Sequence, residues 1–213
     1  LRRLMQSCRL IGIDSPYTPS EITEAILDII KSNKMRSDLS VRVTLFVEGA
    51  GSWSSCEPID MFIAPIPKPR LTLSDISGQT ACTSTWRRID DTMLPPRTKT
   101  GANYISGRYS HLEAQANGSN LPILLNLSGK VAEGAGACVM MMRDGILVTP
   151  PRTAAILESI TRDTLLTLAV ETGLSTQERD IDRTELYLAE EVFLCGSSAE
   201  LTPLSRVDRF TIG

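Results

Sequence analysis

Histidine is almost missing from this chain: His111 is the only one among 213 residues. Chemistry built on a Ser–His–Asp triad or on a multi-histidine metal site is therefore not expected here. Cysteine is scarce and scattered. Cys8, Cys56, Cys82, Cys138 and Cys195 form no C-x-x-C pair, so neither a zinc site nor a disulfide framework is supported. Reduced thiols filling small apolar positions are expected, in a cytoplasm-like compartment. No apolar run approaches the ~18 residues of a membrane-crossing helix. No basic run is present, and 22 basic against 25 acidic residues give a net charge of −3, so nucleic acid is not an expected partner. Internal repeats and low-complexity tracts are absent too. The chain opens at Leu1 without a methionine, already in a helical pattern. It stops at Gly213 just after a strand-like 209–212, so more chain is expected beyond both ends.

What is present is ordinary for a globular protein: 42% hydrophobic and 22% charged residues. The length suits one large domain or two small ones. Residues 1–10 read as an amphipathic helix. Thr18-Pro19-Ser20-Glu21 is a capping box with proline at the first helical position, starting a helix with Ile22, Ala25, Ile26, Ile29 and Ile30 on one stripe. Strands are predicted at 41–47 and 59–66, with a turn at 49–52 between them and Pro65, Pro67 and Pro69 ending the second. A linker is predicted at 68–74 between a small domain, 1–67, and a larger one, 75–213. The larger one reads as strands at 80–89, 122–126, 137–142, 146–149, 176–181 and 191–194. Helices are predicted at 103–117 and 154–171. In the second helix Ile156, Leu157, Ile160, Leu165, Leu168 and Ala169 face inward. Asp144-Gly145 is a hairpin turn. The class is α+β.

Within this frame, the run Pro95-Pro96-Arg97-Thr98-Lys99-Thr100-Gly101-Ala102-Asn103-Tyr104 holds one lysine between a stiff entry and a flexible exit. Lys99 is predicted on a strand-like segment just before a helix. Glu133 sits in the bend Ala132-Glu133-Gly134-Ala135-Gly136. The amides of Ser159-Ile160-Thr161-Arg162-Asp163 suit an anion, and Gly196-Ser197-Ser198-Ala199 is a turn of small residues. A pyridoxal phosphate site needs an amine with a disfavoured charge, a carboxylate at the pyridine nitrogen and several N–H and hydroxyl donors around a dianionic phosphate. These four features supply each part once. Taken singly, Glu133 also fits a solvated hairpin carboxylate and Tyr104 a core tyrosine. Arg42 also fits a pair with Glu48, and His111 a partly exposed helix residue.

As a set, the motifs resemble the fold-type IV (class IV) pyridoxal-phosphate aminotransferases, most closely those for branched-chain amino acids. They are Lys99-Thr100-Gly101-Ala102-Asn103-Tyr104, Gly129-Lys130-Val131-Ala132-Glu133-Gly134-Ala135-Gly136, Leu147-Val148-Thr149-Pro150, Leu157-Glu158-Ser159-Ile160-Thr161-Arg162-Asp163, Glu185-Leu186-Tyr187-Leu188-Ala189-Glu190-Glu191-Val192-Phe193 and Gly196-Ser197-Ser198-Ala199-Glu200-Leu201-Thr202-Pro203. The resemblance implies a small α/β domain, here incomplete, and a larger strand-rich pseudo-barrel domain. It implies that Lys99 holds the cofactor covalently and shuttles the proton, that Glu133 holds the pyridine nitrogen and that Tyr104 bonds the ring oxygen. Arg3 is implied at the phosphate, with Arg2 as its rival. The amides of Ile160 and Thr161 and the hydroxyls of Thr161 and Ser197, beside Gly196, are implied there too. Arg42, Ser197 and Ser198 are implied at the substrate. A homodimer acting on an amino acid and a 2-oxo acid such as 2-oxoglutarate is expected, and no metal. The resemblance also leaves D-amino-acid or (R)-amine aminotransferase, aminodeoxychorismate lyase and a non-catalytic relative as alternatives. Two departures bear on substrate identity. Cys138 and Met140 stand where the family has an asparagine and an aromatic, and the aromatic expected near 68–71 is not evident.

Overall fold

The computed structural model describes residues 1–49, 51–72 and 76–213. The chain divides into two units, Leu1–Thr72 and Leu73–Gly213. The predicted linker at 68–74 and the turn at 49–52 fall partly outside the described residues.

The first unit begins with α1 (Arg2–Leu10) and α2 (Pro19–Ser32). The capping box forms as read: Thr18 accepts from the Glu21 amide while the Glu21 carboxylate accepts from the Thr18 amide. Ile22 is wholly buried, and the rest of its stripe is half-buried. β1 (Leu39–Val47) and β2 (Ile59–Pro67) pair antiparallel throughout. Pro65 does not end β2; it pairs opposite Val41. In a two-stranded ribbon half of the N–H groups face away from the partner, and a proline costs no ladder bond there.

The second unit is organised by ring closure. β3 (Gln79–Arg87), β4 (Leu121–Leu125), β5 (Val131–Gly134), β6 (Cys138–Arg143), β9 (Glu191–Gly196) and β10 (Glu200–Val207) each pair with the next, and β10 pairs back onto β3. The sheet is thus a closed barrel. β7 (Ile146–Thr149) and β8 (Thr176–Glu178) extend it from β6, and β11 (Phe210–Thr211) from β10. Alternation along β6 splits the methionines. Met141 joins the larger core with Val139, Val192 and Leu194, whereas Met140 joins Cys138 and Cys195 in the cluster against Leu165 and Leu166. The β6–β7 hairpin turns on Asp144 and Gly145, both at positive φ (51° and 72°), as a two-residue turn of this kind requires.

Two helices differ from the sequence expectation. The one after the lysine starts as a 3-10 turn (Gly101–Tyr104) and becomes α3 only at Ile105–Ala116. The later one, α4, is Ile160–Glu171 and not 154–171. Ala155 is at φ 64°, a left-handed conformation that breaks a helix, and Ser159 caps α4 by accepting from the Arg162 amide. Ala154 and Ile156 bury themselves with Ala132 as loop residues, in a spacing that mimics a helical stripe. Ile160 and Leu168, expected inward, are about half exposed.

The seam between β10 and β3 is pinned by Asp208. Its carboxylate accepts from the Thr83 amide (2.7 Å), the Thr83 hydroxyl (2.9 Å), Tyr187 (2.5 Å) and Arg183 (2.9 Å), and its own amide donates to Ala81 (2.8 Å). Burial works to raise its pKa, but the bonds from Tyr187, Thr83 and Arg183 prevail and hold it below the ordinary 3.8. A carboxyl whose folded pKa is depressed lends stability above its ordinary value and loses it as pH falls through the folded value. Asp208→Asn is therefore expected to lower the melting temperature at neutral pH and to flatten its fall below about pH 4. Melting curves of both proteins across that window test this.

Candidate active site

Lys99 lies on a loop and not on a strand: β3 ends at Arg87, and the 3-10 turn begins at Gly101. The loop is shaped by Asn103, 3% exposed, whose side-chain amide donates to the carbonyls of Thr98 (2.7 Å) and Pro95 (3.2 Å). The Thr98 amide donates to Pro95 as well (3.0 Å). The Lys99 side chain itself is exposed.

Glu133, on β5, is 5% exposed. One carboxylate oxygen is 2.7 Å from the Nε of Arg88, and the other accepts from the Leu157 amide at 2.8 Å. Burial pushes the Glu133 pKa up, while Arg88, the Leu157 amide and the charge of Lys99 oppose that. Lys99 and Glu133 thus act on each other electrostatically in one neighbourhood. Cys138 faces Glu133 across the β5–β6 ladder, with Sγ 3.7 Å from the Leu157 carbonyl.

The thiols near this carboxylate are held neutral. Burial first, then the charge of Glu133, pushes Cys138 up to about 12, and burial pushes Cys195 up to about 11. Cys56 is the exception to the expectation of buried cysteines, being exposed. A thiol attacks as its thiolate. Brief iodoacetamide treatment at neutral pH should alkylate Cys56 and spare Cys138 and Cys195, as peptide mapping would reveal.

The first turn of α4 is fixed by Arg162, 1% exposed, which donates to the Pro150 carbonyl (2.8 Å), Glu178 (2.6 Å) and the Thr149 hydroxyl (3.3 Å). The backbone bond Asp163 to Ser159 opens the helix ladder, so the amides of Ile160 and Thr161 have no helical acceptor and form its positive end. The loop 154–159 carries this helix end to the Leu157–Glu133 bond. On the other side, Cys138 pairs with Cys195, which sets the turn 197–199 beside the glycine bend. A Cβ at Gly196 would lie 3.6 Å from the Gly136 carbonyl, and one at Gly107 only 2.6 Å from that of Ala135. Gly107 thereby lets α3 approach the bend closely. Tyr104 stands next to Gly136 and lines an open hollow of about 390 Å³ with Arg108 and His111.

In the second unit, Glu133 is bonded to the Leu157 amide and feels the charge of Lys99, and Tyr104 and Gly196 both stand beside Gly136; Ile160 and Thr161 follow Leu157 in the chain, and Ser197 and Ser198 follow Gly196. Arg3, on α1, and Arg42, on the exposed face of β1 opposite Ala64, belong to the first unit. Sequence reasoning passes over Arg88, the Leu157 amide, Arg162 and the role of Asn103. Asn103, Leu157 and Arg162 do leave a signal, as members of the quoted motifs; Arg88 lies outside all of them. Among the described residues no cluster of His, Cys, Asp and Glu could hold a metal ion, and no helix is long and apolar enough to cross a membrane.

The donor set fits pyridoxal phosphate: a charge-paired buried carboxylate, a lysine within its electrostatic reach and a helix end whose first amides have no acceptor within the helix. Known proteins agree with that fit. The family described as Amino-transferase class IV matches residues 1–207. The chain belongs to the class IV aminotransferases and is a pyridoxal-phosphate-dependent transaminase. Several relatives that match 97–100% of this chain are named for branched-chain amino acids. A probable branched-chain-amino-acid aminotransferase of Synechocystis is 35% identical over 99% of this chain and 68% of its own length. The Escherichia coli branched-chain-amino-acid aminotransferase is 33% identical over 100% of this chain and 70% of its own. Among solved structures, the branched-chain amino acid aminotransferase of Thermobaculum terrenum in its PLP form superposes with a TM-score of 0.94 at 42% identity, covering 99% of this chain and 69% of that one.

Proposed function

We propose that this transaminase exchanges the amino group of a branched-chain L-amino acid with a 2-oxo acid such as 2-oxoglutarate, by ping-pong kinetics. The observation that carries the reading is the buried Glu133 carboxylate, ion-paired at 2.7 Å and within the electrostatic reach of Lys99. The names of the relatives support the substrate. When bound, pyridoxal phosphate draws off the electrons released at the substrate Cα. Lys99 anchors the cofactor and moves the Cα proton. Glu133 keeps a proton on the pyridine nitrogen, and Tyr104 donates to the ring oxygen. The amides of Ile160 and Thr161 and the hydroxyls of Thr161 and Ser197, with Gly196 leaving room, receive the phosphate together with Arg3. Arg42 and the amides of Ser197 and Ser198 receive the substrate carboxylate. The same reading takes 1–67 as the small domain, 68–74 as the linker and 75–213 as the cofactor domain of a cytoplasmic homodimer.

Assays of the holoenzyme with L-leucine, L-isoleucine and L-valine against 2-oxoglutarate test the substrate. Turnover of all three is expected. Turnover of D-alanine or (R)-1-phenylethylamine with none of the three would overturn it.

A further inference from the structure

Arg88 touches three segments of the site at once. It is 7% exposed and stands just past the end of β3, its amide held by the Leu125 carbonyl at 2.9 Å. Its Nε lies 2.7 Å from the Glu133 carboxylate and 3.2 Å from the Ala155 carbonyl, and its Nη1 donates to the Asn103 carbonyl at 3.1 Å. The Asn103 side chain, in turn, grips the carbonyls of Pro95 and Thr98 in the lysine loop. Burying a guanidinium is costly unless it is paired and hydrogen-bonded, and these contacts meet that need. A guanidinium stays protonated at any working pH and presents its donors in a rigid fork, so it can hold two partners at a fixed separation where an ammonium cannot.

We propose that Arg88 is a positioning residue of this site: it aims the Glu133 carboxylate at the cofactor and, through the Asn103 carbonyl, ties that carboxylate to the loop carrying Lys99. The proposal rests on the reading of Glu133 and Lys99 as cofactor ligands. Arg88 touches neither cofactor nor substrate; it acts through the groups that do. The end of β3, β5 and the lysine loop thus meet at one side chain. Ala155, the residue that breaks the expected helix, accepts from the same guanidinium and brings the loop before α4 to it as well.

The test uses the reconstituted holoenzyme. Arg88→Met keeps the length and removes the charge and the fork. It should lower kcat roughly 10–100-fold, the range seen when an outer partner of a key ligand is lost, with little change in KM. The visible absorption of the bound cofactor should shift. In the background of Glu133→Gln the same change should have little further effect, because the group that Arg88 aims is already gone. Arg88→Lys should restore part of kcat, since one ammonium can reach Glu133 but not Asn103 as well. Wild-type kcat and absorption in Arg88→Met would overturn the proposal, and so would full multiplication of the two effects in the double variant, which marks a purely structural arginine. If Arg88→Met fails to fold, Arg88→Lys decides: activity and absorption equal to wild type defeat the idea. Failure of the underlying reading looks different. There the wild-type protein itself would take up no pyridoxal phosphate, or borohydride would fix it to a lysine other than Lys99.

Discussion

Lys99→Ala is expected to cut transamination by about 10⁴-fold, the upper end of what a general acid–base group contributes. The covalent bond to the cofactor should disappear with it. Wild-type holoenzyme reduced with borohydride should yield a pyridoxyl-modified peptide centred on Lys99, and the variant none. Folding should survive. The side chain is exposed, and the loop takes its shape from the Asn103 amide and the Thr98–Pro95 bond, both of which remain. An unchanged melting temperature beside lost activity would separate chemistry from stability. If the variant still traps cofactor through another lysine, the assignment of Lys99 is wrong.

Glu133→Gln should be nearly as severe, for a different reason. An amide of the same shape can still meet the Leu157 N–H through its oxygen, but it carries no charge to hold a proton on the pyridine nitrogen. Loss of one preorganised electrostatic partner of the reacting system costs about 10²–10³-fold in kcat. This variant also loses stability, on the order of 3 kcal/mol, because Arg88 is left buried without its counter-charge. The two variants therefore differ in kind: Lys99→Ala is expected to be inactive and stable, Glu133→Gln weakly active and destabilised. Steady-state rates and denaturant curves on both distinguish them. A Glu133→Gln protein with wild-type kcat would remove Glu133 from the chemistry.

What the sequence makes legible follows from how local each signal is. The capping box at Thr18 and the Asp144-Gly145 turn depend on a few neighbouring residues, and both form as read. The start of α4 is not legible. A left-handed Ala155 and a Leu157 amide surrendered to Glu133 are set by contacts with β5, and Ala154 and Ile156 offer the apolar spacing of a helix for a different purpose. The lysine segment is a loop and not the expected extended strand because its shape comes from an asparagine side chain four residues onward, not from Pro95 and Pro96 alone. Arg88 is invisible for the same reason. Nothing in Trp86-Arg87-Arg88 says which arginine turns inward, and only the partner on β5 decides it. Glu133 and Lys99 emerge through the family motif; spacing alone does not join residues that lie on separate elements.

The β10–β3 seam has a consequence for synthesis. Thr83 and Asp208, which meet there, are 125 residues apart in the chain. At a ribosomal rate of about 5–20 residues per second, β3 would wait roughly 6–25 s for its last neighbour to be made. During that interval the nascent sheet offers an unpaired rim to other chains, the hazard that strand edges carry. A transcript broken before β10 would leave that rim permanently bare, so such fragments should collect in inclusion bodies or on chaperones.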